Sequence, residues 1–214
     1  MRGGRIQDRI YWGLNRSARI AGTIADAYRP DGCARPVSGD NLYMRIPVLF
    51  TGARGSFAQP NEYGNSLCEG IFDGAYTKPG DYLGRGEATW FIASQEPLLP
   101  ILCVRTNLTI SIWRAVSPIG SGTGEYGSVE PARKEQVIDL WPASVLGDSV
   151  ARGMARQLPN DEQLPRVTVL LPLSVPVPLR AGDLMTDGLG REAVVVSAER
   201  SALGWRLSVE QAST

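Results

Sequence analysis

Apolar residues recur with a helical period only at the start of the chain. Projected at 100° per residue, Ile6, Ile10, Leu14, Ser17, Ala18 and Ala21 share one arc of about 120°. Arg2, Arg5, Arg9, Arg16 and Arg19 share an arc of about 100° on the opposite side. This predicts an amphipathic helix over residues 2–22, with Gly22 as its C-terminal stop. Gly13 costs about 1 kcal/mol relative to Ala and leaves the pattern intact. Trp12 falls among the arginines rather than on the Ile/Leu stripe. Aromatic and Arg side chains together are the composition of interface cores, so Arg5, Arg9, Trp12, Arg16 and Arg19 are candidate partner-contact residues. A solvated Arg face with Trp12 folded against it is the plainer alternative.

Beyond residue 24 the pattern shortens to β-like runs. "DAYRPDG" (26–32) carries a Pro-Asp-Gly turn signal, and "NLYMRIPVLFTG" (41–52) reads as a strand interrupted at Pro47. Residues 53–70 are rich in Gly, Asn, Ser and Pro and read as a long loop. Its aromatics Phe57 and Tyr63, with Tyr76 just after it, are further contact candidates; packing of the loop onto its own module is the competing reading. "EGIFDGAY" (69–76), "TWFIASQE" (89–96), "PILCVRTN" (100–107) and "LTISIWRA" (108–115) predict an antiparallel meander of four strands.

"SPIGSGTGEYGSVEP" (117–131) reads as a linker. It contains a formal G-x-G-x-x-G, but Glu125 sits where a phosphate would approach and Pro131 separates the glycines from the next helical pattern, so it is not read as a nucleotide site. Residues 131–147, with Pro131 near the first turn, and 148–158, with Asp148 as N-cap, predict two short helices. The β signal returns at 166. Pro172, Pro176 and Pro178 exclude a central strand there and predict an edge strand or an arm lying on a neighbour. "EAVVVSAE" and "GWRLSVEQ" predict a hairpin.

One phrase occurs twice. "PGDYLGRGEATWFIASQE" (79–96) and "AGDLMTDGLGREAVVVSAE" (181–199) each read Gly-Asp, short strand, Gly-containing corner, apolar strand and closing Glu. Neither copy can bury its face alone, so two related modules, or two halves of one barrel, are expected. Asp81 and Asp183 are read as turn residues rather than catalytic carboxylates, because Gly supplies positive φ and Asp bonds nearby backbone N–H groups. The predicted fold is mainly β: two small antiparallel modules, barrel or sandwich, with an N-terminal amphipathic helix and a short helical linker. The predicted divisions are 1–24 (helix), 25–116 (first module), 117–165 (linker) and 166–214 (second module with its Pro-rich arm).

Composition narrows the chemistry. The 214 residues contain no histidine, which removes the commonest general base and transition-metal ligand. Three widely spaced cysteines favour reduced thiols. No run of about 20 apolar residues suits a membrane-spanning helix. The formal net charge is +0, yet residues 1–55 hold nine Arg against four Asp, so the remainder carries the opposite excess.

The segment 180–211, through Gly182, Asp183, Val194–Val196, Glu199 and Trp205–Val209, resembles the small β-barrel neck proteins of tailed bacteriophages. These are the head-completion, stopper and tail-joining group. Residues 79–104 resemble the same pattern, with Trp90 and Phe91 as its aromatics. The resemblance covers about 60 residues. It implies a non-enzymatic virion component assembled in the host cytoplasm, without cofactor or metal. It further implies a homo-oligomeric ring touching portal, adaptor or tail proteins, with packaged DNA nearby and no membrane insertion. Two other readings stay open: a carbohydrate- or receptor-binding tail-tip module, and a cell-wall hydrolase using an Asp/Glu pair such as Glu62 or Glu69 with Asp73.

Overall fold

The computed structural model describes residues 3–52, 66–116, 133–147 and 166–211. It is mainly β, with one N-terminal helix, α1 (Gly3–Ala21), and two closed antiparallel barrels. The first barrel comprises β1 (Thr23–Tyr28), β2 (Leu42–Gly52), β3 (Leu67–Ile71), β4 (Tyr82–Arg85), β5 (Ala88–Ser94) and β6 (Ile101–Arg105). The second comprises β7 (Leu108–Val116), β8 (Arg133–Gly147), β9 (Arg166–Leu171), β10 (Leu184–Asp187), β11 (Glu192–Ser201) and β12 (Gly204–Gln211).

Strand order is β1-β2-β3-β6-β5-β4 in the first barrel and, read in the same sense, β7-β8-β9-β12-β11-β10 in the second. The two topologies are identical, so the repeated phrase marks the fourth and fifth strands of a duplicated six-stranded unit. Even the irregularities repeat: the β5–β6 register shifts between Ile92 and Ser94, and the β11–β12 register between Val195 and Ser197. A bulge bends the strand and closes the curve at the matching place in each barrel. Closure leaves neither sheet an unpaired edge.

The strands of the first repeat are apolar on both faces, and the packing shows why. Leu83, Trp90, Ile92, Ile101 and Cys103 point into the first barrel with Ile46, Val48 and Phe72. Their neighbours Tyr82, Phe91, Ala93 and Val104 point outward and join the core of the second barrel, which includes Ile110, Ile138, Trp141, Val169 and Leu207. A strand buried on both faces reads as a continuous apolar run rather than an alternation. Tyr82 sits at the join. It is fully buried, meets Phe91 and Trp141 edge-on, and donates from Oη to the Pro142 carbonyl at 2.7 Å.

The chain passes between barrels through two residues, each tied to a different side. Thr106 donates from both N and Oγ1 to the Thr89 carbonyl of β5. Asn107 donates from N to Ala143, donates from Nδ2 to the Val145 carbonyl and accepts from Val145 N, all on β8.

Several expectations are corrected. Residues 133–147 form strand β8, not a helix, because Val137, Ile138, Trp141 and Ala143 are required in the barrel core between β7 and β9. The irregular stretch that obscured the β period is a bulge, with Leu140 at φ 51° and its N–H bonded to Ser111 Oγ. The boundary falls at 106–107 rather than after 116, so β7 and β8 belong to the second barrel. The expected loop 53–70 ends earlier, since Leu67–Ile71 is strand β3 paired with β6. Residues 69–115 are therefore no simple meander. Thr23–Tyr28, read only as the approach to a turn, is strand β1. β2 runs unbroken through Pro47, which lies where pairing passes from β1 (to Val48) to β3 (from Leu49). The linker 117–131 and the helix expected at 148–158 lie outside the described residues.

Helix α1 forms as predicted but presents a different face to the barrel. Ala18 is buried, and Tyr11, Leu14 and Asn15 are half-buried. Asn15 Nδ2 donates to Asp73 Oδ2 at 3.0 Å, Gln95 Nε2 donates to Tyr11 Oη at 3.2 Å, and Leu98 N donates to Gln7 Oε1 at 2.8 Å. The docked face is thus rotated by roughly 70° from the Ile/Leu arc. Glycine makes the close approach: a Cβ on Gly22 would lie 2.3 Å from the Val48 carbonyl oxygen, and one on Gly74 2.5 Å from the Tyr11 ring.

Candidate functional site

The Gly-Asp corners are built alike down to single hydrogen bonds. Gly80 has φ 97° and Gly182 has φ 88°. Gly80 N bonds the Ile92 carbonyl and Ile92 N bonds the Asp81 carbonyl; Gly182 and Asp183 make the same pair with Val195. Asp81 is fully buried and accepts from Arg29 Nε at 3.0 Å, Arg29 Nη2 at 2.7 Å, Tyr43 Oη at 2.9 Å and Lys78 N at 3.1 Å. Asp183 is 2% exposed and accepts from Arg114 Nε and Nη2, both at 2.8 Å, and from Arg180 N at 2.9 Å.

Each carboxylate faces a two-pronged guanidinium and a backbone N–H three residues back, not two residues on. Each guanidinium also bonds a carbonyl of the preceding loop, Tyr76 for Arg29 and Pro178 for Arg114. The bond to the carboxylate outweighs burial and raises both arginines further above their ordinary range. Tyr43 is raised as well, first by burial and then by the charge of Asp81. Both oxygens of each carboxylate are thus engaged by donors of the corner itself.

The arginines of these pairs were not recognised in sequence, although a signal exists. Tyr28 faces Tyr82 across β1–β4, and Trp113 faces Leu184 across β7–β10. Arg29 and Arg114 each follow that position, so the dipeptides Tyr-Arg and Trp-Arg are a second repeated element.

Of the remaining candidate carboxylates, Glu69 lies on β3 and Asp73 follows just beyond it, half-buried. Asp73 accepts from Asn15 and, through Oδ1, from Ala75 N. Asp187 lies below the usual carboxylate range: burial pushes it up, but the N–H groups of Arg191 and Leu189 and the Arg191 guanidinium outweigh that. Glu62, Phe57 and Tyr63 lie outside the described residues. Among the described residues no cluster of three or more acidic or thiol ligands could hold a metal ion.

Of the predicted contact residues on α1, Arg9, Arg16 and Arg19 are exposed, and Trp12 is 65% exposed with the Arg16 guanidinium 5.7 Å from its ring centroid. Arg19 Nε donates to Asn15 Oδ1. Arg5 lies in the helix. The rotation of α1 also leaves Ile6 of that arc exposed; Ile20, on the arginine side, and Ile24 of β1 are exposed too. The proline arm lies mostly on its own chain. Pro172 is buried, Val175 and Leu179 enter the core, and Ser174 Oγ donates to the Gly80 carbonyl at 2.7 Å. Pro176 and Pro178 are exposed.

The three thiols are free and differ in surroundings. Cys68 and Cys103 face each other across β3–β6; burial pushes Cys68 up to about 12 and Cys103 well above its ordinary value. Only the thiolate alkylates rapidly. At pH 8, iodoacetamide is therefore expected to label exposed Cys33 alone in the native protein, and all three thiols after denaturation. Intact-mass spectrometry checks this, and comparable native labelling of Cys68 would refute the burial.

No family model, curated protein or solved structure matches this chain.

Proposed function

We propose that this chain is a structural virion component of a tailed phage, forming a homo-oligomeric ring in the head–tail connector or tail. The observation that carries the reading is the uncovered face of α1. It combines Arg9, Trp12, Arg16 and Arg19 with the apolar flank Ile6 and Ile20 on one side of a helix anchored through Gln7 and Asn15. Exposed apolar surface beside Arg and Trp is the composition of a protein-binding patch. The rest of the chain carries the complementary negative excess, which suits a head-to-tail contact between copies. The carboxylates fixed in structural pairs and the missing histidine support a role without catalysis.

Native mass spectrometry and negative-stain imaging of the purified full chain test this reading. Rings that dissociate in the Arg9→Glu/Trp12→Ala double variant are expected. A wild-type monomer at micromolar concentration, absent from purified particles, would sink it.

A further inference from the structure

The cleft beside the two-residue link between the barrels holds about 720 Å³. Arg85, Arg105 and Ser66 line it from the first barrel and Ser144 from the second. Ser144 is 1% exposed, and its Oγ has no hydrogen-bond partner among the described residues. Ser66 Oγ is likewise buried without a partner. Buried hydroxyls are rarely left unbonded, so one from each barrel beside the same cleft calls for an acceptor.

The groups are held in place. Arg105 N donates to the Ser66 carbonyl at 2.8 Å, which fixes that serine beside the arginine. Ser144 lies between Ala143 and Val145, and both are bonded to Asn107 of the link. Arg85 lies over the Trp90 ring at 5.6 Å and donates from Nη1 to Thr23 Oγ1, leaving its other N–H groups available. Arg105 has no carboxylate within ion-pair distance among the described residues. Glu87 also lines the cleft, so two arginines and one carboxylate leave it net positive. Thr106 and Asn107 line it too, but their side chains are occupied by Thr89 and Val145.

The geometry points to a binding site for a phosphate-type oxyanion. Its oxygens accept from the two serine hydroxyls and from the guanidinium groups, bridging the barrels at their junction. A tetrahedral anion with several oxygens matches convergent donors from two directions better than a single-acceptor ligand does. The same group can arrive as free inorganic phosphate or on a nucleic-acid strand.

The test is calorimetric titration of the full chain with sodium phosphate, and separately with a short 5′-phosphorylated oligonucleotide, each against chloride at equal ionic strength. Saturable binding of at least one is expected, weakened about tenfold or more in Arg105→Ala and in Ser144→Ala, as loss of a charged or buried hydrogen bond implies. Whichever probe binds identifies the source of the phosphate. Binding of neither would overturn the assignment, as would binding unchanged in both variants. Arg105→Glu guards against a folding artefact, because it alters only an exposed side chain and is expected to abolish binding while circular dichroism stays native.

Discussion

Asp81→Ala is expected to lower the free energy of unfolding by about 3 kcal/mol, and Asp183→Ala by about 3–4 kcal/mol. Each substitution strands a guanidinium and a backbone N–H that the carboxylate satisfied; at Asp81 it also strands the Tyr43 hydroxyl. The difference follows from exposure. The Arg29 side chain is 39% exposed and can rehydrate, whereas Arg114 is 24% exposed and rehydrates less. Asn at either position keeps one acceptor oxygen and costs less, about 1–2 kcal/mol. Urea denaturation followed by tryptophan fluorescence measures all four variants. A loss below about 1 kcal/mol at both alanine variants would mean the corners do not depend on their carboxylates.

The second large effect is expected at Tyr82, where the barrels meet. Tyr82→Ala removes a fully buried ring packed against Phe91 and Trp141, at a cost of about 3–5 kcal/mol. Tyr82→Phe keeps the ring and removes only the bond to the Pro142 carbonyl, which costs about 1 kcal/mol. The pair of variants separates packing from hydrogen bonding at the junction. Equal losses from both would assign the contribution to the hydroxyl; negligible losses from both would show that the barrels do not rest on this contact.

These effects return to how the chain could be read. The Gly-Asp repeat was legible because it is local: positive φ at Gly80 and Gly182, a carboxylate over the turn and an apolar strand after it lie within about 18 residues. The arginine that completes each corner was not, because Arg29 and Asp81 stand 52 residues apart and Arg114 and Asp183 stand 69 apart. The helix was legible from its period, but the period could not say which side would dock. Polar anchors at Gln7, Tyr11 and Asn15 turned it away from the Ile6/Ile10 arc.

By itself the sequence determined the local elements: an amphipathic start, short strands, two matching corners and a mainly β chain without histidine. Only the tertiary structure decided that there are two closed barrels of one topology, divided at 106–107. Strand identity at 133–147 depended on it as well. Pro142 and the Leu140 bulge hide the two-residue period there, and pairing with β7 and β9 overrides the local helical signal. The physical reason is common to all these cases. Periodicity and turn chemistry act over a few residues, whereas barrel closure, ion pairs and barrel-to-barrel packing join groups tens of residues apart, and no local pattern records their partners.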